Sequence, residues 1–205
     1  MKTKTVMTRF SLALCTLMAL PLAGISQQNT GTANDRDGVI LFVESKPEMQ
    51  YRHMGTVECA TVSPDKIDPL IDHMIKQARK KGEEFDGLIF RAGHNVCKAD
   101  IIQYYKDPKA RKSRGRRGEP APIDPAKKKS LANDRDGKYI FIENSPTAEN
   151  QLLGKIETSP RFKGRKPEEF IVEMLRIASE TYGEFDAVVF IDGEDLKKAN
   201  VIKFK

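Results

Sequence analysis

The sequence predicts an α+β protein built from two tandem ββαββ domains. Each is expected to be a four-stranded antiparallel sheet in the order 2-1-3-4, with one helix packed on one face. Three observations lead there. The six residues ANDRDG occur twice, at 33–38 and 132–137, and each opens a related stretch of chain. Within each stretch the apolar period runs strand, strand, helix, strand, strand. Between the stretches, residues 107–131 carry nine basic and three acidic side chains, with Pro and Gly and no apolar period.

The repeat sets the organisation. At an offset of 99, Phe42 matches Phe141, Glu44 matches Glu143, Pro47 matches Pro146 and Gly55 matches Gly154. At an offset of 100, Met74 matches Met174, Ala78 matches Ala178, Phe85-Asp86 matches Phe185-Asp186, and Ala99 matches Ala199. One residue is therefore gained between Gly55 and Met74 on passing to the second copy. The expected layout is a signal peptide at 1–26, a first module at 33–106, a flexible basic linker at 107–131 and a second module at 132–205. Two such modules on a flexible linker are expected to survive as separate fragments.

Each element has a local reason. Strand one, 39–44, is VILFVE and ends at a turn around Pro47. Strand two, 53–62, places His53, Gly55, Val57 and Cys59 on one face by period-two alternation. Leu152, Gly154, Ile156 and Thr158 match them, so this face is expected to point inward. A helix follows, with Asp68 as its cap and Pro69 in the first turn, where a missing N–H is harmless. Its stripe is Leu70, Ile71, Met74, Ile75 and Ala78, matched by Ile171, Met174, Leu175, Ala178 and Tyr182. Strand three is GLIF or AVVF, and strand four covers 101–105 or 201–204. The continuous apolar runs of strands one and three make them central, leaving strands two and four at the edges.

The N-terminus reads as an export signal. Lys2, Lys4 and Arg9 precede an apolar run over 10–24, too short to span a bilayer, and Gly24 and Ser26 suit cleavage before Gln27. Leu14 before Cys15 does not fit a lipoprotein signal, so the mature chain is expected in the periplasm or outside the cell. The net charge is +6, but the basic excess outside the signal lies in 107–131, and the two modules carry −1 and −2. With that distribution the basic net charge is not evidence for a nucleic-acid-binding domain.

Few residues carry chemistry. ANDRDG has part of an EF-type spacing, with Asp35, Asp37, Gly38 and Glu44 at positions 3, 5, 6 and 12, repeated as Asp134, Asp136, Gly137 and Glu143. Position 1 is Ala33 or Ala132, and a strand follows where a helix should. The hexapeptide therefore reads as a polar turn that launches strand one. Cys59 and Cys97 are the two mature cysteines and form a disulfide candidate in an oxidising compartment. The same sulfurs with His94 and His53 form a competing metal candidate. Arg111, Lys112, Arg114, Arg116 and Arg117 are candidates for an anionic envelope partner, without the aromatics that base stacking needs. No catalytic motif is present, and no cofactor is expected.

The sequence of a Pro turn after strand one, the GTV and GKI strands, the amphipathic helix, FDAVVF and the terminal ANVIKFK resembles small uncharacterised exported proteins of Bacteroidota. More distantly the pattern is similar to the Rcs-sensor lipoprotein and to YbjQ-like domains. The resemblance implies an envelope location and carries over no functional residue. The expected function is an exported, non-enzymatic binding or envelope-associated module, with protein partners reached through the sheet edges. A metal-binding or thiol-redox first module is the alternative, and a hydrolase would need a polar cleft between the copies.

Overall fold

The computed structural model describes residues 28–58, 67–90, 98–105, 123–164, 166–190 and 196–205. The first copy contains β1 (Thr30–Ala33), β2 (Asp35–Arg36), β3 (Val39–Val43), β4 (Ser45–Pro47), β5 (Tyr51–Glu58), α1 (Asp68–Lys80), β6 (Gly87–Phe90) and β7 (Lys98–Tyr104). After a 3-10 turn at Pro125–Lys128, the second copy contains β8 (Lys129–Arg135), β9 (Lys138–Phe141), β10 (Asn144–Pro146), β11 (Asn150–Glu157), α2 (Pro167–Tyr182), β12 (Ala187–Phe190) and β13 (Lys198–Phe204).

The expected α+β pair of four-stranded antiparallel domains does not form. The described chain is mostly β, in one sheet of five strands and one of eight. The five-stranded order is β2-β3-β6-β7-β5. The eight-stranded order is β10-β1-β8-β9-β12-β13-β11, with β4 also on β8. Strand one runs parallel to strand three in both copies, as β3 with β6 and β9 with β12. Every residue of β3 and β6 is buried, and a strand covered on both faces suits a parallel central pair. Strand two does not flank strand one. It pairs with strand four, as β5 with β7 and β11 with β13.

Side-chain character explains that order. β5 exposes Arg52, His53 and Glu58, so it belongs at an edge, whereas β7 is almost wholly buried beyond Lys98. Strand four is therefore interior, contrary to the expected edge. The inward face expected for strand two is also corrected. A β-bulge between His53 and Gly55, repeated between Leu152 and Gly154, shifts the phase by one residue. Met54 and Leu153 consequently pack on the core, while His53 and Leu152 are exposed.

The helices follow the apolar stripes. α1 buries Leu70, Ile71, Met74, Ile75 and Ala78, and α2 buries Phe170, Ile171, Met174 and Ala178. Asp68 does not cap α1 through its side chain; its carboxylate pairs with Arg36. No helix among the described residues is long and apolar enough to cross a membrane.

The repeated Phe-Asp before strand three has a clear role. Asp86 accepts the Tyr104 amide at 2.9 Å, and Asp186 accepts the Phe204 amide at 2.7 Å. Each aspartate thereby ties the start of strand three to the end of strand four. The sheet face away from α1 is also buried, around Ile40, Phe42, Ile102 and Tyr104, with Ile123 packed against it. Ile123 and the 3-10 turn lie within the segment read as linker. They rest on the first copy through Tyr104, whose hydroxyl donates to the Lys127 carbonyl at 2.7 Å, and through Lys127 to Asp86 at 2.8 Å.

Candidate functional site: the seam between the copies

The described residue cluster that both copies share is built on ANDRDG. In each copy Asp-Gly makes a two-residue hairpin with positive φ at both positions, 52° and 79° at Asp37-Gly38 and 52° and 73° at Asp136-Gly137. That is the turn for which Asp-Gly is best suited, because Gly tolerates the left-handed region without strain. The turn folds Asp35–Arg36 back onto the start of β3. It leaves the residues before it, Thr30–Ala33, projecting past their own sheet.

Those residues enter the other copy. β1 pairs antiparallel with β10, and β8 pairs in the corresponding register with β4. β1 and β8 also pair with each other, with Gly31 opposite Ser130. The result is a four-stranded seam, β4-β8-β1-β10, in which each copy contributes an arm to the other. Val43 bridges Ile142, its own counterpart at the offset of 99. An approximate two-fold exchange of the copies therefore relates the two ends of the seam.

One glutamate per copy anchors the exchange. Glu44 and Glu143 have φ of 49° and 52°, a conformation that non-glycine residues seldom adopt. The kink ends strand one and turns the chain into β4 or β10. Both carboxylates are buried, at 2 % and 9 % exposure. The Asn34 amide N–H donates to the Glu143 carbonyl at 2.9 Å, and the Asn34 side chain donates to Glu143 Oε2 at 2.9 Å. Asn133 repeats both bonds to Glu44, at 2.8 and 3.1 Å. Arg36 lies 3.8 Å from Glu143 and Arg135 lies 3.6 Å from Glu44. Each arginine also holds its own helix start, Arg36 through Asp68 and through Asp72 at 3.2 Å, and Arg135 through Glu168 at 3.3 Å. Burial pushes the Glu44 carboxyl above its ordinary value, opposed by the Asn133 hydrogen bond and by Arg135.

This arrangement separates the groups of the EF-type spacing. Within one copy the hexapeptide and its glutamate do not close a loop, since Glu44 meets the hexapeptide of the other copy. Asp35 pairs with Lys128, and Asp37 lies 3.7 Å from Arg79. Among the described residues no group of three His, Cys, Asp or Glu is placed to hold a metal ion.

The other candidates are dispersed or outside view. Cys59, Cys97 and His94 lie outside the described residues, as do Arg111, Lys112, Arg114, Arg116 and Arg117. His53 is on the exposed side of the edge strand β5, with Nε2 at 3.3 Å from Asp100 and 3.4 Å from Thr56 Oγ1. Shallow surface grooves are bordered by side chains that already pair, among them Arg52 with Gln103 and Arg176 with Glu173 and Glu180. The residues that sequence reasoning did not assign to a site are Asn34, Arg36, Asn133 and Arg135. Their signal was present: they lie in the hexapeptide that is identical in both copies, while the positions flanking it on either side differ.

No family model, no curated protein and no solved structure matches this chain.

Proposed function

We propose that this chain is an exported, non-enzymatic binding module that works at the cell envelope. The reading of export rests on the basic residues Lys2, Lys4 and Arg9 followed by the apolar run at 10–24. The reading of binding rests on one observation: β5 and β11 are eight-residue strands that, among the described residues, each terminate a sheet and pair on one side only. Such an edge offers unpaired backbone groups to an extended partner segment, which adds as a further strand. The bulge divides each edge strand into two stretches of continuous register, 51–53 and 55–58 in β5 and 150–152 and 154–157 in β11, and the longer four-residue stretches are the docking lines. His53 and Leu152 flank them and are exposed, which places them to contact the partner's side chains.

Two measurements test this. Cell fractionation followed by intact mass is expected to find a chain beginning at Gln27 outside the cytoplasm; an uncleaved cytoplasmic chain would remove export. Amide hydrogen exchange on the mature protein, with and without solubilised envelope proteins, is expected to slow in 55–58 and 154–157. Protection confined to other surfaces would overturn the edge reading.

A further inference from the structure

The two ends of the seam are equivalent in position but not in chemistry. The registers put Gly31, Ser130, Ser45 and Asn144 on one face of the four-stranded seam. At one end the arm residue Gly31 pairs with Pro146 and lies diagonal to Asn144, whose side chain reaches over it. A Cβ at Gly31 would overlap the Asn144 side-chain amide, whose Cγ would be 2.9 Å away. At the other end the arm residue Ser130 pairs with Pro47, and the residue at the equivalent diagonal is Ser45. So one end matches the smallest side chain with a large one, and the other matches two of intermediate size. All three side chains are buried, and among the described residues their polar atoms have no hydrogen-bond partner. The overlap that a Cβ at Gly31 would meet makes packing volume what this face reads.

The wrong pairings can be enumerated. If two first modules met across such a seam, Gly31 would lie diagonal to Ser45 at both ends and leave a void twice. If two second modules met, Ser130 would lie diagonal to Asn144 at both ends and overlap twice. The mixed pair alone receives both matched ends. The anchors beyond this face, Asn34 with Glu143 and Asn133 with Glu44, are the same in every combination and cannot discriminate.

We propose that the seam is a recognition surface that selects a first module paired with a second module, and that positions 31, 45, 130 and 144 encode the choice. Its partner is the opposite module of this same chain, held in cis.

The test uses the whole mature chain. A site-specific protease sequence inserted after Gly118 is cut in urea by a urea-tolerant protease, and the two pieces are returned together to buffer. Native mass spectrometry is expected to show the one-to-one complex of unlike pieces as at least nine-tenths of the paired species. Separate monomers, or like and unlike pairs in the statistical one-to-two-to-one ratio, would overturn the proposal. An uncut control does not depend on the pieces refolding. Gly31→Ser is expected to lower Tm by about 5 °C, and Asn144→Ser added to it is expected to restore more than half of that loss. If the two substitutions are additive, the size match between these positions is not read and the proposal fails.

Discussion

A carboxylate held out of water on a left-handed backbone is unfavourable twice over, by roughly 1–3 kcal/mol for the backbone alone. The chain accepts this at Glu44 and again at Glu143. What offsets it is one charge-assisted hydrogen bond from the asparagine of the opposite copy, of the stronger class of such bonds, together with that asparagine's backbone bond and an arginine at 3.8 Å from Glu143 and 3.6 Å from Glu44. The same burial makes Glu44 responsive to pH. Its carboxyl is raised chiefly by desolvation, so between the ordinary and the raised value the folded chain binds more proton than the unfolded chain. This group's contribution is therefore fully present below the ordinary carboxylate range and is lost as pH rises through the raised value. Glu44→Gln removes that dependence. Urea midpoints of the two proteins between pH 7 and pH 4 are expected to diverge in favour of the wild type as pH falls. A difference that stays constant across that range would show that burial does not govern Glu44.

At the scale of elements, the parallel pair β3–β6 has a tight point that its counterpart lacks. A Cβ on Gly87 would lie 2.8 Å from the Ile40 carbonyl oxygen, and that neighbour is backbone. The matching position in the second copy is Ala187, opposite Tyr139. The two sheets therefore differ in how closely strands one and three approach. Gly87→Ala is expected to destabilise by about 1–3 kcal/mol through forced separation of the pair, although alanine is native at 187. Urea denaturation checks this, and an unchanged midpoint would mean that β3 moves freely. The bulges at Gly55 and Gly154 belong to the same scale. They put Met54 and Leu153 on the core side and spend the exposed phase on His53 and Leu152.

For the whole molecule, the two copies behave as one body of packing. A single buried cluster contains Val43, Met74 and Leu88 of the first copy together with Ile142, Met174 and Val188 of the second. The seam adds backbone pairing of β1 and β8 into the opposite copy. Breaking one module would expose the core and the arm of the other. Calorimetry of the mature chain is therefore expected to give one transition, and Met74→Ala is expected to lower that whole transition rather than split it, by about 2–5 kcal/mol at this buried site. Two resolved transitions would restore the picture of independent modules on a linker.

Local chemistry was legible in the sequence. The two apolar helix stripes, the continuous runs of strands one and three, the Asp-Gly turns and the duplication itself all act over a few residues and leave a period or a recurrence. ANDRDG marked where each copy starts for the same reason. Strand order was not legible, because the preference of β5 for β7 over β3 depends on which side chains find cover once the sheet exists. The bulges hid as well, since one extra residue inverts a face while leaving the alternation intact on either side. The exchange of arms lay furthest from view. Glu44 is ten residues from Asn34 in sequence and bonds to Asn133 instead, and no local pattern distinguishes a partner in the same copy from its equivalent in the other. The sequence alone determined which segments form elements and that they occur twice; tertiary packing decided that the two copies share one seam, because only there can both buried glutamates find donors.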